Sequence, residues 1–463
     1  MPRRHGYALL AGLAAVVVLI SSGIFALTGL VGRDGTARNG SGTHTADKGG
    51  RSGGSSGTGL RPAASPQWIG TWSASPVGPE PRSETGLPGQ SIRNVVHTSI
   101  GGTRARVTLS NLFGDKPLHI SRASIAVAAA SGAPAAEPGT MRPVTFRGRP
   151  TVVVPPGGQA VSDGAAIRVP YDGDLLVSVF SPSPSGSVTH HPFSRQTGYG
   201  AAGDHTEDVS GGAYEARTKS WRYLTRVDVL NPDAEGAVVL FGDSITDGIS
   251  SSLDANRRWP DVLSDRLRAE PGAPRYGVLN QGISGNRLLS HHRGPSGLSR
   301  FTTDAVNQPG ARTIVVLLGI NDIIAPPNER DAKRITDGLR ELVRQGHARH
   351  KRVIGSTLLP FGGHPTWTAE LEAVRERVNA EIRAGRVFDA VIDFDRAVRD
   401  PYAPVRMLPA YDSGDHLHPS DEGYRRMGQW VDLGMLRAGN PGASAGAAGF
   451  AGREGVVAAP ARF

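Results

Sequence analysis

Cysteine is absent from the 463-residue chain, which excludes disulfides, thiolate metal sites and cysteine nucleophiles and leaves the redox compartment open. Lysine is scarce, occurring only at Lys48, Lys116, Lys219, Lys333 and Lys351. The net charge of +9 therefore comes from arginine, scattered along the chain rather than gathered into a basic helix or an aromatic-interleaved stripe. Nucleic acid is not an expected partner on this pattern. A solvated arginine-rich surface, compatible with an anionic cell envelope, is the plainer reading. Charge is missing altogether between Ala8 and Gly32, and that gap is informative.

Arg3 and Arg4 precede this uncharged run, which contains the apolar block Leu13-Ala14-Ala15-Val16-Val17-Val18-Leu19-Ile20. Residues 1–32 are expected to be a signal peptide, cleaved near Ala26 or Gly29, or a membrane anchor. Either implies an extracellular protein, secreted or tethered to the cell membrane by its N-terminal segment. The Gly/Ser-rich residues 33–66 read as a flexible linker. Within it, Gly53-Gly54-Ser55-Ser56-Gly57 fits G-x-S-x-G, but no strand precedes it and no helix follows, so the pattern carries no chemistry. The Ala/Gly-rich residues 439–463 read as a disordered tail.

Residues 67–235 carry short β-type runs at 92–100, 104–110, 120–128, 151–154 and 175–180. Turn signals such as Gly101-Gly102, Gly114-Asp115 and Asp172-Gly173 separate them. Regular strands without helical periodicity predict an all-β sandwich or jelly-roll domain. His190-His191 is the one candidate metal pair here, but neighbours in a strand point to opposite faces and chelate poorly. Packing as a companion on the next domain is expected, with carbohydrate binding as the alternative.

Over residues 236–438 apolar strands alternate with amphipathic helices. Strands are expected at 238–241, 276–279, 313–318, 352–359 and 387–394, and helices at 258–267, 332–350, 368–383 and 420–433. This alternation predicts βαβ units and a parallel sheet covered on both faces. Ligands of such sheets sit beyond the C-terminal strand ends. Four groups converge on that edge. Ser244 follows the first strand, in Gly242-Asp243-Ser244-Ile245, at a strand-to-helix turn suited to a nucleophile. Gly282-Ile283-Ser284-Gly285-Asn286 follows the second, its glycines allowing close backbone approach. Gly319-Ile320-Asn321-Asp322 follows the third and brings an amide donor. Late in the chain, Asp415-His416-Leu417-His418-Pro419 places Asp and His three apart, able to face each other across one helical turn. The Asp415 carboxylate can then hold one nitrogen of His418 while the other takes a proton from Ser244. His416 is the rival base.

These blocks resemble the GDSL, or SGNH, hydrolase family, with Ile245 where the family name has Leu. The resemblance covers the C-terminal catalytic region. It implies a flavodoxin-like three-layer α/β/α fold and ester hydrolysis without metal or cofactor. Ser244 is then the nucleophile, His418 the base and Asp415 its partner. The backbone N–H groups of Ser244 and Gly285, with the Asn321 side chain, form the oxyanion hole. The preceding β domain and the phrase continuing through Arg287-Leu288-Leu289 are also similar to a secreted two-domain subgroup that includes xylan-associated acyl esterases. Expected substrates are acetylated carbohydrates or short acyl esters. The alternatives are a lysophospholipase or lipase acting on lipid esters, and a non-catalytic surface protein that binds glycans. Arg287 is expected to form a structural ion pair or to attract an anionic substrate.

Overall fold

The computed structural model describes residues 67–437. The expected leader or anchor (1–32), the linker (33–66) with its G-x-S-x-G pattern and the tail (439–463) lie outside these residues. Among the described residues, no helix is long and apolar enough to cross a membrane.

The first region is all-β, as its runs and turns predict. Gln90–His97 and Asp174–Ser181 pair antiparallel from Asp174↔His97 to Ser181↔Gln90, and Arg122–Val127 flanks them. Their side chains alternate between two faces. Ile92, Val96, Ile125, Leu175, Val177 and Val179 enter the main core, whereas Val95, Ala126 and Leu176 join a smaller cluster with Tyr199 and Tyr214. A second antiparallel sheet, ordered Gln67–Ser73, Leu224–Asn231, Ala105–Ser110 and Gln159–Val161, supplies Ile69, Val107, Leu109, Val227 and Val229 to the main core. The strands Gln67–Ser73, Gly198–Ala202 and Leu224–Asn231 carry internal glycine or charge and give a weaker signal in the sequence.

The second region is α/β. Its parallel strands are β1 (Gly236–Gly242), β2 (Tyr276–Gly282), β3 (Ala311–Leu317), β4 (Arg352–Ser356) and β5 (Ala390–Ile392), in the spatial order β2-β1-β3-β4-β5. This is the flavodoxin-like order, whose switch point lies between β1 and β3. Four short helices begin close behind strands or between them: α1 (Ser244–Asp247), α3 (Gly297–Phe301), α4 (Ile320–Ile324) and α7 (Phe394–Val398). The longer helices are α2 (Trp259–Ala269), α5 (Ala332–His347), α6 (Ala369–Arg383) and α8 (Asp421–Trp430). On α5, Ile335, Leu339, Leu342 and Val343 are buried, the i, i+4, i+7, i+8 face of its sequence. Ser420 caps α8 by accepting the Gly423 N–H at 3.2 Å.

Two strands are shorter than their apolar runs. β4 stops at Ser356 because the Leu358 N–H turns to the Asn379 side chain at 2.7 Å. The run after Arg386 pairs only over Ala390–Ile392, since Asp393 then caps α7.

Both regions lie in one compact unit and contribute to one core cluster. The β region covers the free edge of β2. There the Val278 N–H donates to Ser99 Oγ at 2.8 Å, and Gly277 abuts the Gly70 carbonyl so closely that no side chain fits.

Candidate active site

β1 is buried along its whole length and delivers Gly242 and Asp243 to the C-terminal edge of the sheet. Asp243 caps α1, accepting the Ile245 N–H at 3.1 Å. Helix α1 is a single turn, closed by Gly248 at φ +98°. Any anion beside Ser244 would therefore meet individual N–H groups rather than the dipole of a long helix. The Ser244 hydroxyl lies 2.8 Å from Nε2 of His418, and Nδ1 of His418 lies 2.6 Å from Oδ2 of Asp415. A carboxylate only accepts, so Nδ1 carries the hydrogen and Nε2 turns a lone pair to the hydroxyl.

The segment bearing Asp415 and His418 is not the helical turn expected from their spacing. It is a bent loop closed by the bridge Asp412↔Pro419. The Asp415 carboxylate makes the turn itself, with Oδ1 accepting the N–H groups of Leu417 (2.9 Å) and His418 (2.8 Å). Partial burial would raise this carboxyl. The hydrogen bonds from the His418 ring and from the His418 and Leu417 backbones outweigh it and hold the group well below the usual carboxylate range. His416, at φ +65°, faces Asp412 Oδ2 at 2.7 Å, away from the Asp415–His418–Ser244 line.

Gly285 and Asn321 reach the same edge through the loops after β2 and β3. The Ile283 N–H donates to Gly242 O at 3.1 Å, and the Ser284 N–H donates to Asp247 Oδ2 at 3.0 Å. The Ser284 hydroxyl donates to that same oxygen. These bonds lash the glycine loop to α1. Gly285 sits at φ +76°, a conformation that favours glycine, and a Cβ there would push aside the exposed Arg293 side chain, whose Cδ lies 2.6 Å away. Asn321, buried in the first turn of α4, donates through Nδ2 to Asn286 O at 3.1 Å and keeps a second amide hydrogen. Among the described residues, no protein acceptor takes the backbone N–H of Ser244 or Gly285. Asp322 fixes the following loop by accepting the N–H groups of Leu288 (2.7 Å) and Leu289 (2.9 Å).

Several supporting residues gave no signal in the sequence. Arg300 is buried and donates to Gly242 O (2.9 Å), Gln281 O (2.9 Å), Asn286 Oδ1 (3.0 Å) and Asp304 Oδ2 (3.2 Å). Burial lowers its pKa against the pull of Asp304, and its guanidinium stacks 4.0 Å over Phe241. Arg287 corrects the ion-pair expectation, since its guanidinium donates to the carbonyls of Pro326 (2.7 Å), Ala325 (2.5 Å) and Pro327 (3.3 Å). His190 and His191 face different partners, Gly78 O at 3.0 Å and Ser75 O at 2.7 Å. Among the described residues, no cluster of His, Asp and Glu could hold a metal ion.

Residues 240–426 match the model of the GDSL-like lipase/acylhydrolase family. No curated protein matches the chain. Similar solved structures include a GDSL-like lipase from Bacteroides thetaiotaomicron, at 20% identity over 42% of this chain and 85% of that one, with a TM-score of 0.32. A carbohydrate acetylesterase from Sinorhizobium meliloti is 17% identical over 42% of this chain and 94% of its own, with a TM-score of 0.33. An aryl esterase from M. smegmatis is 18% identical over 42% and 95%, with a TM-score of 0.34.

Proposed function

We propose that this chain, whose residues 240–426 match the model of the GDSL-like lipase/acylhydrolase family, is a serine-dependent ester hydrolase working through an acyl-enzyme. Ser244 Oγ attacks the ester carbonyl while His418 Nε2 takes its proton. The bond from carbonyl carbon to alcohol oxygen breaks, and the proton passes from His418 to the departing alcohol. Water then repeats the sequence on the acyl-serine, with His418 again as base. Charge on the carbonyl oxygen meets the N–H groups of Ser244 and Gly285 and the free amide hydrogen of Asn321, all held before the substrate arrives. The observation that carries this reading is the unbroken line Ser244 Oγ–His418 Nε2 at 2.8 Å and His418 Nδ1–Asp415 Oδ2 at 2.6 Å.

The proposed substrates are short acyl esters, with acetylated carbohydrate as the first class to test. Polar groups close to the site support a polar alcohol: Arg293 lies across Gly285, and His364 stands near Asp415 and His418. The chain is proposed to act outside the cytoplasm, released or tethered through residues 1–32.

A fluorophosphonate probe and p-nitrophenyl acetate test the chemistry. The wild-type chain is expected to be labelled at Ser244, and Ser244→Ala or His418→Ala to lose about 10⁴-fold or more in kcat. Full turnover by His418→Ala would overturn the assignment. A panel of acetylated sugars, lysolipids and p-nitrophenyl esters of rising chain length tests the substrate class. Preference for long chains or lysolipids would replace the carbohydrate reading with a lipid one.

A further inference from the structure

The β-region strand Thr189–His191 ends beneath the Ser244 turn. His191 is buried there, its ring packed against Trp221 with centroids 5.4 Å apart. Nδ1 lies 2.7 Å from Ser75 O and Nε2 lies 3.1 Å from Asp247 Oδ1. A carbonyl and a carboxylate only accept, so both ring nitrogens donate, Nδ1 to Ser75 and Nε2 to Asp247, and the ring is fixed in its plane. Asp247 is also buried, three residues beyond Ser244 in α1. Its other oxygen receives the N–H and the hydroxyl of Ser284, the residue before Gly285. One carboxylate thus joins the Ser244 turn to the Gly285 loop, and the β region grips its far side.

Neither element has much rigidity of its own. Helix α1 is one turn, and the loop after β2 contains a glycine at φ +76°. An Asp247 carboxylate released from His191 would be buried with its Oδ1 unpartnered. It would then reorient or draw in water, and Ser284 would move with it. Displacing a reacting or stabilising group by about 1 Å can lower a rate by about 100-fold.

We propose that His191 is a positioning residue for the oxyanion hole, acting through Asp247 on Ser284 and Gly285, so that the β region is a working part of the catalytic unit. This rests on the esterase reading above. Ser75 has the same double duty, bonding to Gln281 at the end of β2 and accepting from Arg300 at 3.1 Å. The β region thereby backs both β2 and the loop that follows it.

The test uses the full chain with p-nitrophenyl acetate, rates being normalised to active sites counted with a fluorophosphonate. His191→Asn keeps a donor toward Ser75 but leaves Asp247 bare. It is expected to lower kcat by about 10- to 100-fold with KM within about twofold. His191→Gln, whose amide reaches where Nε2 stood, is expected to recover most of that loss. Ser284→Ala is expected to lower kcat in the same direction with KM unchanged, and it decides the matter if His191→Asn does not fold. A His191→Asn protein that melts earlier but keeps kcat per active site overturns the proposal. So does Ser284→Ala at full kcat. Wild-type protein without Ser244-dependent turnover sinks the underlying esterase reading, and this inference with it, before any His191 variant is measured.

Discussion

Asp243 stands directly before Ser244 with no solvent exposure, and its ionisation can be read as a stability measurement. One carboxyl oxygen accepts the Ile245 N–H at 3.1 Å, while Oδ2 has no hydrogen-bond partner among the described residues. Burial pushes this carboxyl up to about 7 from an ordinary 3.8, against the opposing pulls of the Ile245 N–H, His418 and Arg300. Between those two values the folded chain binds more protons than the unfolded one, so stability falls as pH rises. The rise corresponds to about 4 kcal/mol at about 1.36 kcal/mol per pH unit. About 3 kcal/mol of this falls between about pH 5 and pH 8.5. Asp243→Asn keeps an oxygen for the Ile245 N–H and cannot titrate. Urea unfolding of both proteins, followed by tryptophan fluorescence at these two pH values, isolates the effect. The variant is expected to gain about 3 kcal/mol on the wild type from the lower pH to the higher. A stability difference that stays constant with pH would refute the reasoning, because Asp243 would then ionise alike in the folded and unfolded chains.

Three further expectations concern the site and its support. Asn321→Ala should lower kcat by about 10²–10³-fold with little change in KM, measured on p-nitrophenyl acetate, since it removes a donor that the proposed mechanism aims at developing charge. Gly285→Ala should depress kcat and also lower stability by about 1–2 kcal/mol in thermal denaturation, because a Cβ is strained at φ +76° and meets Arg293. Arg300→Met should lower stability by about 3–5 kcal/mol in urea titration. It strands the Asp304 carboxylate, which the guanidinium meets at 3.2 Å, and frees the Gly242 and Gln281 carbonyls.

Much of the α/β architecture was legible in local chemistry. Runs such as Val238-Val239-Leu240-Phe241 have one stable use, a strand buried on both faces, and the helix at Ala332–His347 carries its buried stripe at helical spacing. Gly242, Gly285, Asn321 and the Asp415–His418 pair were readable because each belongs to a short block at the end of an element. The local form of the last block was not readable. Three-residue spacing suits a helical turn, yet Asp415 bonds to the backbone of Leu417 and His418 and builds a bend instead. Strand lengths were overestimated where a side chain such as Asn379 or Asp393 captures the backbone and ends the ladder.

By itself the sequence determined the order of strands and helices, the residue types brought to the sheet edge and the glycines that let the backbone crowd there. These follow from periodicity, turn chemistry and side-chain reactivity, which act within a few residues. Only the tertiary structure decided that His416 turns to Asp412, that Arg300 braces the carbonyl of Gly242, and that His191 reaches across from the β region to Asp247. Those choices depend on hydrogen-bond partners distant in the chain. A buried donor or acceptor must find its partner in space, and nothing within its own segment says where that partner will be.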